Sequence, residues 1–117
     1  MRPLTLTTRV TVTGPVLRIS GDLDYETAPE LREAVDGLTL GAGQTMVLDL
    51  ADLGFCDSSG ISALISARNL AMERGGGVAL AAVPPNTLRI LSIVGLDQVF
   101  TLLPDAATAT GPDLMTG

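Results

Sequence analysis

The stretch "MVLDLADLGFCDSSGISAL", residues 46–64, decides how this chain folds. It opens on an aliphatic run broken only by Asp49 and Asp52. From Ile61 the apolar positions Ile61, Leu64, Ile65, Arg68 by its stem, and Met72 follow helical spacing, with Ala63, Ala67 and Ala71 broadening the packing face. The pattern predicts a largely buried strand over 46–50 handing over to a helix that begins near Ser59. Between them lies Asp57-Ser58-Ser59-Gly60. That turn falls at the carboxyl edge of the predicted sheet, where open α/β sheets place their functional sites.

Upstream, "LTLTTRVTVT" alternates apolar and polar residues, Gly14 and Pro15 follow, and "VLRISG" resumes the alternation, which predicts an antiparallel pair of strands. "YETAPELREAVDGL" then turns helical. Thr27 and Glu30 have capping-box spacing, Pro29 sits in the first turn, and Leu31, Val35 and Leu38 share a face. Downstream, Gly75 to Gly77 end the second helix, "VALAAV" is a buried strand, "PPNTLRILSIVG" a helix that stops near Gly95, and "QVFTLL" a last short strand. The order β-β-α-β-α-β-α-β predicts one α/β domain over residues 1–104, with a mainly parallel sheet, helical crossovers and an antiparallel N-terminal edge strand. Residues 105–117 read as a tail with room for a short helix and a mobile end.

Composition narrows the function. A chain of 117 residues, 46% hydrophobic, fits one compact core. No stretch approaches the ~18 uninterrupted apolar residues of a membrane span, and "MRPLTLTTRV" lacks the apolar block of a secretion signal, so the expected location is the cytoplasm. The single cysteine, Cys56, reads as a small buried residue at a strand end. Histidine is absent, which removes the usual general base for serine or cysteine nucleophiles and the commonest transition-metal ligand. Seven arginines face thirteen acidic residues, so the net charge of −6 repels phosphate backbones and nucleic acid is not an expected partner. Nine of the acids fall between Asp22 and Asp57, against Arg32 alone. Gathered on one face they would seek a basic partner; spread out, they would serve solubility.

The plain reading of the serines is capping, because serine and aspartate are standard N-caps, each worth ~0.5–2 kcal/mol over alanine. A cap needs one oxygen, however, and three candidate side chains crowd this turn. A hydrolase nucleophile is excluded by the pattern D-S-S-G in place of G-x-S-x-G and by the missing histidine. A phosphate-binding loop needs several glycines and usually a lysine, yet only Gly60 is local and the chain has no lysine. Weak anion binding at the helix start stays open, as does a third reading in which Ser58 is an exposed hydroxyl offered to another protein's kinase.

Three segments, "ISGDLDYETAPELREAV", "MVLDLADLGFCDSSGISAL" and "NTLRILSIVGLDQVF", together resemble the STAS domain, and specifically the small bacterial anti-sigma factor antagonists; the resemblance runs in order from about Leu4 to Leu103. It implies a non-enzymatic partner switch without a cofactor. In that family the unphosphorylated protein captures an anti-sigma factor that is also a serine kinase, and so frees a sigma factor. The kinase uses ATP and Mg²⁺ to phosphorylate the serine after the aspartate of the D-S-[ST]-G turn, and a PP2C-type phosphatase resets it. On this sequence the acceptor is Ser58, with Ser59 the adjacent cap. Asp24, expected to be exposed, would contact the kinase or orient the serine; Asp22 and Asp57 would flank it, and Gly60 completes the partner-binding turn. The rival readings are a STAS module in a stress-signalling scaffold or a lipid-transport complex, and a weak nucleotide-binding protein.

Overall fold

The computed structural model describes residues 3–109. Strands β1 (Thr5–Thr11) and β2 (Gly14–Leu23) pair antiparallel, Thr5 opposite Ser20 and Thr11 opposite Gly14. Strands β3 (Thr45–Asp49), β4 (Leu53–Cys56), β5 (Gly77–Ala81) and β6 (Thr101–Leu103) make the parallel part. The sheet order is β1-β2-β3-β5-β6, with β4 pairing to the far end of β2. Helices α1 (Ala28–Asp36), α2 (Ser58–Glu73) and α3 (Pro85–Ile93) join the strands, and α4 (Ala106–Ala109) follows β6. The expected mixed α/β sheet with an antiparallel edge strand is the fold.

Alternation along the central strands divides the molecule into two layers of packing. Leu17 and Ile19 of β2, Met46 and Leu48 of β3, and Val78 and Leu80 of β5 join Leu31 and Val35 of α1, Leu64 of α2 and Leu91 of α3 in the main core. The intervening residues Val16, Val47 and Ala81 turn to the other face, where Ala106 and Leu103 cover them.

Four details differ from the sequence reading. A separate strand, β4, lies between β3 and α2 and extends the hand-over by one more sheet element. The buried face of α2 runs through Gly60, Ile61, Ala63, Leu64, Ala67 and Ala71, whereas Met72 is exposed, because small side chains let this helix lie close against the sheet and α1. Thr27 makes no capping bond to α1; its hydroxyl turns back, accepting from the Asp24 N–H at 2.9 Å and donating to the Asp22 carbonyl at 2.9 Å. In "QVFTLL" only Thr101–Leu103 is strand, and Leu96–Gln98 is a 3-10 turn. Helix α4 lies within the stretch read as a tail with room for a short helix, and the end beyond Ala109 lies outside the described residues.

Candidate functional site

The turn at Asp57 is built by β2 and β4. Leu23 pairs with Cys56, the Asp57 N–H donates to the Leu23 carbonyl at 3.2 Å, and the Gly21 N–H donates to the Asp52 carbonyl at 3.1 Å. Asp22 closes the same seam with its side chain, Oδ1 accepting from the Phe55 N–H at 3.0 Å. The loop after β2 and the turn after β4 are thereby fixed side by side at the carboxyl edge of the sheet.

The helix cap is Asp57, not a serine. Its backbone is extended, and its Oδ1 accepts from the Gly60 N–H at 3.0 Å, satisfying one of the free amides that open α2. The carboxylate also lies at the positive end of the helix dipole, where negative charge is stabilising. Ser58 and Ser59 therefore occupy the first two helical positions with no capping duty, and neither hydroxyl has a hydrogen-bond partner among the described residues. Their surroundings differ. Ser58 is exposed, whereas Ser59 is half-buried and faces a cavity of about 570 Å³ shared with Tyr25, Glu26, Arg32 and Ser62.

Gly60 contributes nothing to the surface, contrary to its place among the expected partner-binding residues. It is buried, and a Cβ there would meet Cys56 Sγ and the Leu23 carbonyl oxygen, each at 2.7 Å. Its role is to let the first turn of α2 rest directly on β2 and β4.

Asp24 is likewise corrected. Only 5% of it is exposed, and its Oδ1 accepts from the Glu26 N–H at 3.0 Å and the Thr27 N–H at 3.1 Å while Thr27 Oγ1 lies at 3.2 Å. The loop folds inward because two backbone amides converge on one oxygen, and the Asp24 carbonyl then accepts from the Ala28 N–H at 2.8 Å to start α1. Asp24 organises the loop beside the turn; it is not a surface contact.

Cys56 is the buried strand-end residue that was expected, and burial pushes its thiol up to about 12, with the neighbouring Asp57 charge adding to the effect. At neutral pH it is an inert thiol. Among the described residues no cluster of acidic or cysteine side chains could hold a metal ion, and no helix is long and apolar enough to cross a membrane.

The sequence reading did not single out Tyr25 and Phe55, which are 79% and 59% exposed at this edge. The sequence offered a signal for Tyr25, which interrupts an acidic segment, but none for Phe55, which lies in a strand that no pattern announces.

A small mixed α/β sheet thus holds the exposed Ser58 at the first position of α2, beside the loop that Asp24 ties down. A family model described as "Mlab, STAS domain" matches residues 6–104, and the chain belongs to the STAS domain family. It is 30% identical over 95 residues to the anti-sigma F factor antagonist of Paenibacillus polymyxa, covering 80% of this chain and 81% of that protein. The crystal structure of an anti-sigma factor antagonist from Mycobacterium paratuberculosis superposes with a TM-score of 0.72 at 29% identity, covering 92% of this chain and 91% of the other. The anti-sigma factor antagonist SpoIIAA in its unphosphorylated form has the same fold, with a TM-score of 0.64 at 20% identity and 92% of each chain covered.

Proposed function

We propose that this protein is an anti-sigma factor antagonist, which binds an anti-sigma factor serine kinase when unphosphorylated and is released by phosphorylation of Ser58. The observation that carries the reading is the division of labour in the turn: Asp57 caps α2 and leaves the Ser58 hydroxyl exposed and unengaged at its first position. The names of its relatives support the class of partner. Asp57 and the half-buried Asp22 make the surroundings acidic, and Asp24 positions the adjoining loop.

Phosphorylation adds ~1.5–2 negative charges at pH 7. In an interface that covers the turn, the phosphate must lose water beside Asp57, and each ~1.4 kcal/mol of that penalty weakens binding tenfold. Local charge is enough to eject a partner.

The test is incubation with the purified anti-sigma factor kinases of the source cell, ATP and Mg²⁺. One phosphate should appear on Ser58, be abolished by Ser58→Ala and persist in Ser59→Ala; a PP2C-type phosphatase should remove it. Ser58→Ala should bind the kinase and Ser58→Asp should bind at least tenfold more weakly. Peptide mapping that puts the phosphate on Ser59, or copurification with a transporter component in place of a kinase, overturns the reading.

A further inference from the structure

Only three aromatic side chains occur in the chain, and two of them stand in solvent at the same edge of the sheet. Phe100 is 4% exposed and part of the core, but Tyr25 is 79% exposed and Phe55 59% exposed. Scattered exposed apolar residues are ordinary on a protein surface. This pair is distinguished by where the backbone puts it. Tyr25 directly follows Asp24, whose loop is tied down by the Oδ1 bonds, and Phe55 is pinned through its N–H to Asp22 Oδ1. The pairing of Leu23 with Cys56 brings the two carriers together, and Tyr25 lines the cavity that Ser59 also lines.

We infer that Tyr25 and Phe55 are the two apolar anchors by which this protein grips its anti-sigma factor, one in the loop after β2 and one at the end of β4, with Ser58 in the turn they flank. The inference rests on the partner class proposed above and adds which side chains bind it. Rigid aromatic side chains on a tied-down backbone lose little entropy on binding and are the residue types enriched at the energetic centres of interfaces. The segments that carry them are mainly acidic: Glu26 and Glu30 are exposed and Asp57 half-exposed, with Arg32 the cation that lines the Tyr25 cavity. The complementary surface on the anti-sigma factor is thus an apolar recess bordered by basic side chains. A phosphate on Ser58, three residues after Phe55, would enter the region that the two aromatics dehydrate.

The test titrates wild type, Tyr25→Ala, Phe55→Ala and Tyr25→Phe against the purified anti-sigma factors of the source cell by calorimetry, with Ile93→Ala on α3 as a control for a large exposed apolar side chain elsewhere, 75% exposed. Support is a loss of affinity of about tenfold or more in each alanine variant, with Tyr25→Phe and Ile93→Ala within about twofold of wild type and melting temperatures unchanged. Wild-type binding that survives both alanine substitutions within twofold overturns the anchors and leaves the antagonist function standing. If no anti-sigma factor binds the wild type, the function proposed above fails and the anchors fail with it. Phosphorylation of Ser58 in every variant at high kinase concentration would show that a lost affinity is not a lost fold.

Discussion

At Asp24 one oxygen holds a loop and the other holds nothing. Oδ1 gathers the Glu26 and Thr27 amides, and Oδ2 is buried with no hydrogen-bond partner among the described residues. Removing the carboxylate strands two inward-facing amides, so Asp24→Ala should cost about 2 kcal/mol, a fall in melting temperature on the order of 10 °C. Asp24→Asn keeps an acceptor at Oδ1 and should lie within a few degrees of wild type. Thermal unfolding followed by circular dichroism distinguishes the two; an unchanged melting temperature for Asp24→Ala would mean the loop is held elsewhere. The importance of this aspartate was legible in "GDLDYET", but its burial was not, because that depends on the Thr27 hydroxyl reaching back to the Asp22 carbonyl and not forward to cap α1. The same limit applied to the turn: three adjacent residues could each have capped α2, and choosing Asp57 required knowing where the preceding strand ends.

That strand, β4, is the element the sequence concealed. It is four residues long, contains Gly54, and has buried ends around an exposed middle, so neither alternation nor an apolar run announces it. The other strands carried one of those two signals, and the helices declared themselves by period and by flanking proline and glycine. The face of α2 was legible in Ile61, Leu64, Ala63, Ala67 and Ala71, all buried, and only Met72 was placed on it wrongly; Ile65 and Arg68 lie half-buried at its border. Gly60 obeys a geometric demand. Alanine is the better helix former by ~1 kcal/mol, but Gly60→Ala places its methyl carbon against Cys56 Sγ and the Leu23 carbonyl oxygen. Overpacking should prevail and destabilise the domain by about 1–3 kcal/mol in urea unfolding. Pairing it with Cys56→Ala should recover only part of the loss, since the carbonyl stays in place; full recovery would assign the whole clash to the sulfur.

Across the whole molecule the question is whether a phosphate on Ser58 acts locally or remodels the sheet. The site is attached to the core through Gly60, Ile61 and Leu64, so a helix shift would be transmitted to β2 and β5. Two effects bear on the free protein. The phosphate would stand at the first position of a 16-residue helix, near unpaired amides and the positive end of its dipole, which favours an anion. Asp57 repels it, and at the exposed turn that repulsion is screened over ~8 Å at physiological salt. The terms oppose each other, and no buried hydrogen bond involves the Ser58 hydroxyl, so nothing in the core has to break. Phosphorylated protein should therefore show amide chemical-shift changes concentrated in residues 22–26 and 55–64, little change in β5, and a melting temperature within about 2 °C of the unmodified form, on the scale at which ~1 kcal/mol moves it by several degrees. Shifts spreading through Gly77–Ala81, or a melting temperature lower by many degrees, would make the switch conformational and locate the release of the partner in the sheet and not in the charge of the turn.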